Sequence, residues 1–180
     1  MGSILGMGAG HKTAPLGIIL VGMKPMTTRP LRVYADTSVF GGVFDEEFAE
    51  SSLAFFNAVR RGRFRLVVSV VVQDELEDAP PEVRELFEEM RREAEIVDPS
   101  EDVVALQKAY LDAEILGSTW ETDALHVALA TAASCRLIVS WNFKHIVHYR
   151  KIPMYNEVNA ARGFAPLAIH SPSEVVDEDE

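Results

Sequence analysis

Polar side chains with oxygen donors stand where four short apolar segments of the sequence end or begin. They are three carboxylates and one amide: Asp36, Glu75, Asp123 and Asn142. Two carboxylates about 4 Å apart repel by roughly 4 kcal/mol at an effective dielectric near 20, so a protein keeps such a cluster when a cation shares it. Oxygen ligands without a supporting Cys or His set favour Mg²⁺ or Mn²⁺ over zinc. If the four side chains meet, they predict a divalent metal site.

Short runs of β-branched and aromatic residues alternate with amphipathic segments along the chain. The runs predict strands at residues 32–35, 65–69, 95–98, 136–140 and 167–169. The segments predict helices at residues 45–61, 70–79, 81–95, 100–116 and 119–134, with short helical stretches at 143–148 and 156–162. Residues 37–42 are expected to form a turn, and Ser100 and Thr119 to cap the helices that they precede.

This alternation, with nearly continuous apolar strands, is typical of an α/β protein. We expect a three-layer α/β/α fold with a central, mostly parallel sheet. Ligands of such sheets bind beyond the carboxyl ends of the strands. Right-handed crossovers that place the first, second and fourth strands side by side would bring the four polar residues to one edge.

The length of the chain, 180 residues, suits one domain. Residues 26–172 are expected to form it. Residues 1–25 are interpreted as an unstructured extension, a tag or the product of a misplaced start site, and residues 173–180 as an acidic, disordered tail. The apolar run at 16–22 is too short to span a bilayer, so no membrane association is expected. The single cysteine, Cys135, fits a reducing compartment, and a cytoplasmic location is expected.

The formal net charge of −11 would repel nucleic acid at long range. The acids are concentrated at residues 74–102 and in the tail, however, whereas residues 136–162 are mostly basic. Net charge therefore excludes no substrate. Nucleotide hydrolysis is disfavoured, because the chain lacks the phosphate-cradling pattern GxxxxGK[ST].

Each polar residue also has a structural explanation when it is read alone. Asp36 precedes Thr-Ser and suits a turn or a helix cap, and Asn142 suits a turn. Asp123 lies in a first helical turn, where the helix dipole favours acids. Glu75 has acidic neighbours and reads as a solvated helix residue, and His126 reads as a packed, hydrogen-bonded core histidine.

Four segments of the sequence, taken together, resemble the motifs of the PIN-domain family. They are ADTSVF at residues 35–40, QDEL around Glu75, TDALHVALA at 122–130 and IVSWNFKHIV at 138–147. They fall in the order of the family and cover residues 31 to about 172, and the chain is most similar to VapC-like toxins. The resemblance implies a PIN-like α/β/α nuclease that cleaves single-stranded RNA with Mg²⁺ or Mn²⁺ through a metal-activated water. It also implies a homodimer, inhibited by an antitoxin partner.

The resemblance assigns roles to residues as well. Asp36, Glu75 and Asp123 match the catalytic metal ligands of the family, and Ser38 and Ser140 its small hydroxyl positions. Asn142 departs from the aspartate of many members. Its amide oxygen can still bind a hard cation but brings no charge, which lowers the expected affinity for a second metal. Glu121, two residues before Asp123, is a candidate for supplying the missing charge.

The most basic stretch of the chain is a candidate RNA-binding surface, and a solvated turn is the alternative. It comprises Lys144, His145, His148, Arg150 and Lys151. Trp141, next to it, suits either base stacking or packing. The alternative to a nuclease is a PIN-fold binding module that Asn142 leaves catalytically weak and that acts through RNA or protein contacts.

Overall fold

The computed structural model describes residues 29–176, which form a single five-stranded sheet with helices packed against it. The strands are β1 Leu31–Ala35, β2 Phe64–Ser69, β3 Glu95–Val97, β4 Leu137–Val139 and β5 Ala168–His170. The helices are α1 Thr37–Gly42, α2 Ala49–Arg60, α3 Val70–Leu76, α4 Pro81–Met90, α5 Glu101–Asp112, α6 Glu121–Ala132, α7 Lys151–Ala161 and α8 Pro172–Val176.

The strands lie in the order β3-β2-β1-β4-β5, and every adjacent pair is parallel. Helix α1 contacts α2 and α4, and α2 contacts α8, while α5 contacts α6 and α7 in a second group. The consecutive residues Val33, Tyr34 and Ala35 of β1 are all fully buried, which requires cover on both faces of the sheet. The three-layer α/β/α architecture expected from the sequence is confirmed.

The segment predicted as a turn at residues 37–42 is instead the helix α1. Its two glycines disfavour a helix by about 1 kcal/mol each. Phe40 compensates because its fully buried ring packs on Phe56 of α2 and Phe87 of α4, with ring centroids 4.9 and 5.3 Å apart. Packing against neighbouring helices thus overrides the local preference of the sequence.

Two further predictions of local structure differ from what is observed. Thr119 caps no helix: Ser118–Trp120 is a short 3₁₀ helix, and α6 follows at Glu121 without a side-chain cap. Residues 143–148 form turns, because the Asn142 side-chain oxygen accepts a hydrogen bond from the main-chain N–H of His145. By contrast, the predicted cap at Ser100 is confirmed, since its hydroxyl accepts from the N–H of Val103 at 3.3 Å.

The folded part of the chain extends past the predicted boundary at residue 172. Helix α8 packs against α2, and Val175 is buried. Glu174 fixes the start of α8, where its carboxylate accepts from the N–H and the hydroxyl of Ser171 at 2.7 and 2.8 Å. The predicted extension at 1–25 and the end of the predicted tail lie outside the described residues. Among the helices of residues 29–176, none has the length and apolar character needed to cross a membrane.

Candidate active site

The carboxyl ends of three adjacent strands supply the centre of the site. Asp36 directly follows β1, and its main-chain N–H donates to the carbonyl of Val139 at the end of β4. Ser140 directly follows β4, and Ser69 ends β2. The parallel register of the sheet therefore brings residues from three distant parts of the sequence to one edge.

Asp36 is the most buried carboxylate of the site, with 4% of its surface exposed. Its Oδ1 accepts from the Ser38 hydroxyl at 2.6 Å and its Oδ2 from the Ser140 hydroxyl at 2.7 Å. Although Asp36 stands before α1, it makes no capping hydrogen bond. Burial raises the pKa of Asp36. The charge of His126 and the hydrogen bonds from the two hydroxyls only partly oppose this increase.

The two serines are fixed as donors to this carboxylate. The Ser38 hydroxyl oxygen accepts from the main-chain N–H of Trp141 at 2.8 Å, and that of Ser140 from the N–H of Asn142 at 2.9 Å. Each hydroxyl therefore has its proton left for Asp36. These are the hydrogen bonds expected of the small hydroxyl positions, while the catalytic role of the two serines stays a prediction.

Glu75 reaches the same region from α3, with 34% of its side chain exposed. Its Oε2 accepts from the hydroxyl of Thr37 and lies 3.1 Å from Nε2 of His126. Burial works to raise the pKa of Glu75, but the hydrogen bond and charge of His126, with the Thr37 hydroxyl, hold it below its ordinary value. Two side chains thus hold the Glu75 carboxylate in one orientation, so it is not freely solvated.

A chain of hydrogen bonds through the core holds His126 in place. The Ser69 hydroxyl accepts from the N–H of Val72 at 3.3 Å and contacts the Tyr34 hydroxyl at 2.7 Å, which in turn lies 2.8 Å from Nδ1 of His126. If each hydroxyl passes its proton along, Tyr34 donates to Nδ1, and Nε2–H of His126 donates to Glu75. The buried histidine expected from the sequence therefore has a partner in the site.

Asp123 and Asn142 form the third part of the site. The Asn142 amide nitrogen donates to Oδ1 of Asp123 at 2.8 Å, while its oxygen accepts from the N–H of His145 at 3.0 Å. The amide thus turns its nitrogen, and not its oxygen, to the carboxylate. Burial and the negative charge of Glu75 raise the pKa of Asp123, against the opposing charge of His126.

The three carboxylates share one charged neighbour. Burial works to lower the pKa of His126, but Glu75, Asp36 and Asp123 together raise it above its ordinary value. The donor chemistry fits a hard divalent cation, because three carboxylates gather around a single basic group. As the side chains stand, however, no three His, Cys, Asp or Glu residues within 29–176 form a ready-made ion site.

The remaining predicted site residues lie at different distances from this centre. Glu121 is exposed at the start of α6, and only its main-chain carbonyl takes part in a described hydrogen bond. Burial and the charge of Lys144 lower the pKa of Lys151, and the negative charge of Asp123 opposes this shift. The Nζ of Lys151 contacts Nδ1 of His145 at 3.2 Å. His145 is 5% exposed, so it offers little surface to RNA.

Two of the other basic residues, His148 and Arg150, contact an exposed tyrosine, whereas Lys144 lies over the ring of Trp120. Tyr149 is 72% exposed, its ring stacks on His148, and its hydroxyl accepts from Arg150 at 2.7 Å. Trp141 packs against Phe48, with ring centroids 4.4 Å apart, which fits the packing alternative.

Sequence reasoning did not single out Tyr34, Thr37 or Trp120 as parts of the site. Tyr34 lies two residues before Asp36 and Thr37 directly after it. Their contacts with His126 and Glu75 depend on the order of the strands, which local sequence does not show. Trp120 precedes α6 by one residue and is 41% exposed, which the sequence does not show.

Comparison with known proteins places this geometry in a family. A family model described as PIN domain matches residues 32–144. The fold matches the crystal structure of VapBC2 from Rickettsia felis bound to a DNA fragment from their promoter, with a TM-score of 0.51 and 14% identity over 78% of this chain and 98% of that chain. No curated protein matches the sequence.

Proposed function

The chain belongs to the PIN-domain family, and from that membership and the site geometry we propose that it is a metal-dependent endoribonuclease acting on single-stranded RNA. Because PIN domains are generally nucleases, family membership supports nuclease activity for this chain. The observation that carries the proposal is the position of Glu75, which contacts both Thr37, the residue after Asp36, and His126, three residues after Asp123 on α6. These contacts bring the three carboxylates to the carboxyl edge of the sheet.

The residues of this site have separable tasks in the proposed reaction. Asp36, Glu75 and Asp123 would hold the ion, and a bound Mg²⁺ or Mn²⁺ would activate a water and neutralise the charge that develops on the phosphate. Ser38 and Ser140 orient the Asp36 carboxylate through their hydroxyl protons. Asn142 orients Asp123, and His126 orients Glu75. Fixed carboxylates lose less freedom on binding an ion, which favours affinity.

The test is incubation of the protein with single-stranded RNA, with Mn²⁺ or with EDTA. We expect cleavage with Mn²⁺ and none with EDTA. Asp36→Asn should abolish it, because the variant removes the most buried carboxylate. Asp74→Asn is the matched control: this exposed acid lies beside Glu75 on α3, and its loss should leave cleavage intact. Equal cleavage by Asp36→Asn and the unaltered protein would refute the assignment.

We also propose that the protein acts as the toxin of a toxin-antitoxin pair, as a homodimer bound by an antitoxin. The fold match to the VapBC2 structure supports this. Expression in a bacterial host should arrest growth, and the Asp36→Asn variant should not. Growth arrest by both forms, or by neither, would contradict a toxin that acts through this site.

One observation favours the alternative of a PIN-fold binding module. The side-chain oxygen of Asn142 accepts a hydrogen bond from the main-chain N–H of His145. This oxygen is therefore not directed at an ion that the carboxylates would hold. Thermal unfolding with added Mn²⁺ separates the two functions. An ion at about a hundred times its dissociation constant adds about 2.7 kcal/mol of stability, a shift of several degrees. A binding module without an ion site would show no shift.

A further inference from the structure

An exposed tryptophan stands beside the carboxylates. Trp120 is 41% exposed, whereas Trp141, the second of the two tryptophans in the chain, is partly buried against Phe48. Trp120 immediately precedes α6, whose first turn carries Asp123. A large aromatic ring left in solvent next to a candidate catalytic centre loses burial energy that a ligand would restore.

The surroundings of Trp120 fix its ring in one orientation. The imidazole of His145 stacks on the indole, with centroids 4.2 Å apart and planes 30° apart. Nδ1 of His145 is itself engaged by Nζ of Lys151 at 3.2 Å, and Lys151 lies within electrostatic range of Asp123. His145 and Lys151 therefore connect the Trp120 ring to the carboxylate site. A group stacked on this ring would lie near that site.

Two features show that this arrangement is not completed core packing. Nε2 of His145 is the one buried side-chain polar atom without a hydrogen-bond partner in the part of the chain that the structure describes. A buried donor without a partner destabilises the folded protein, and a ligand that supplies an acceptor would remove this cost. The Nζ of Lys144 also stands 4.5 Å from the centroid of the Trp120 ring, a charged group that a purely apolar contact would not need.

We propose that Trp120 is a stacking platform for one nucleobase of the single-stranded nucleic acid substrate, with Lys144 as the neighbouring phosphate contact. This rests on the proposed function, which supplies the substrate class. The Lys144 ammonium lies over the Trp120 ring, and its flexible side chain can move from the ring to a phosphate when a base stacks there. The pair then matches the base and the phosphate of a single nucleotide. Because every base has an aromatic face, the subsite orients the strand at the carboxylates without strict sequence preference.

Binding measured in EDTA, without cleavage, tests the subsite. The probes are a short single-stranded RNA and an oligonucleotide of the same length whose residues lack bases. We expect Trp120→Ala to weaken binding of the RNA about tenfold, because stacking contributes roughly 1–3 kcal/mol per base. It should leave binding of the abasic strand nearly unchanged, and Trp120→Phe should retain most of the affinity for RNA.

Lys144→Ala is the matched control for the charge. It should weaken both strands alike and reduce the dependence of binding on salt, because it removes a phosphate contact. Loss of the same factor for both strands with Trp120→Ala, or no loss for either, would overturn the stacking assignment and would leave a surface for a protein partner as the explanation of the exposed ring.

Fluorescence gives a second readout that needs no change at Trp120. In a Trp141→Phe background Trp120 is the sole tryptophan, and stacking of a base should quench its emission on addition of RNA but not of the abasic strand. Bound RNA without quenching would contradict the subsite. Base-selective quenching in a protein that cleaves nothing would keep the subsite and refute the nuclease, so the two proposals fail separately.

Discussion

Each carboxylate of the site is held by a donor of a different kind. Two serine hydroxyls hold Asp36, an imidazole and a threonine hydroxyl hold Glu75, and an amide holds Asp123. Donors that are already fixed stabilise negative charge without reorganisation. The differing donors explain why the pKa of Glu75 is lowered while burial raises the pKa values of Asp36 and Asp123.

Asp123→Asn should stabilise the metal-free protein at neutral pH, by about 1 kcal/mol, or roughly 2–4 °C in Tm. It removes a negative charge that burial and Glu75 disfavour more than the charge of His126 favours it. With the pKa of Asp123 raised, the native state keeps a proton that the unfolded chain has released. The free energy of unfolding therefore falls as the pH rises from the ordinary aspartate pKa through the raised one. Asp123→Asn removes this pH dependence. The variant should therefore become more stable than the unaltered protein as the pH rises through that range.

Denaturant unfolding of the two proteins from pH 3 upward would measure this difference. Glu121→Gln is the control, since Glu121 lies in the same helical turn but is exposed. It should give no gain. A pH-independent effect of Asp123→Asn, or an equal gain from Glu121→Gln, would show that Asp123 does not take part in a carboxylate cluster.

Tyr34→Phe should destabilise the protein by about 1–3 kcal/mol, because it leaves the Ser69 hydroxyl proton without an acceptor and Nδ1 of His126 without a partner in the core. The His126 ring would also lose the donor that fixes its tautomer. At a pH above the raised pKa of His126, where the ring is neutral, its ¹⁵N NMR shifts should report Nε2–H in the unaltered protein and a mixture of tautomers in the variant. Unchanged stability together with unchanged shifts would mean that the hydrogen bond is not formed in solution.

At the scale of elements, sequence signals succeed where local energies decide and fail where packing decides. The Ser100 cap follows from one side chain and the N–H three residues later. The helix α1 contains two glycines and forms because Phe40 packs on helices that are distant in the sequence. Similarly, Thr119 has the residue type of a cap, but the 3₁₀ turn places α6 two residues later.

Ser100→Ala should lower the free energy of unfolding by about 0.5–2 kcal/mol, because the N–H of Val103 loses its acceptor at the start of α5. Thr119→Ala, a change of similar size at a residue of cap type, should have almost no effect. Denaturant midpoints of the two variants would measure this, and equal losses would show that the difference between the two helix starts is not real.

Gly42→Ala should destabilise the protein by roughly 1–3 kcal/mol. A Cβ at this position would meet the Ser52 hydroxyl and the Trp141 indole nitrogen, each at 2.7 Å. The end of α1 would therefore have to move away from these two side chains. Gly41→Ala is the control, because its Cβ would meet nothing within 4 Å. There alanine should stabilise α1 by up to about 1 kcal/mol. Thermal unfolding of both variants gives the comparison, and a loss with Gly41→Ala equal to that of Gly42→Ala would contradict the close packing of α1.

At the scale of the whole molecule, the alternation of strands and helices sufficed to predict the α/β/α layers and the parallel sheet. It also led to the expectation that Asp36, Glu75 and Asp123 lie at one edge, since strand order follows from a few topological rules. The hydrogen-bond chain through Tyr34 and His126 could not be predicted, because it joins side chains from β1, β2 and α6 whose directions depend on exact packing. The direction of the Asn142 amide was equally out of reach.

If Asp36, Glu75 and Asp123 together bind a divalent cation, calorimetric titration with Mn²⁺ in the absence of RNA should show saturable binding by the unaltered protein and by Asp74→Asn. Asp36→Asn and Asp123→Asn should bind the ion much more weakly. Binding of equal affinity in all four proteins, or in none of them, would show that the three carboxylates do not share an ion.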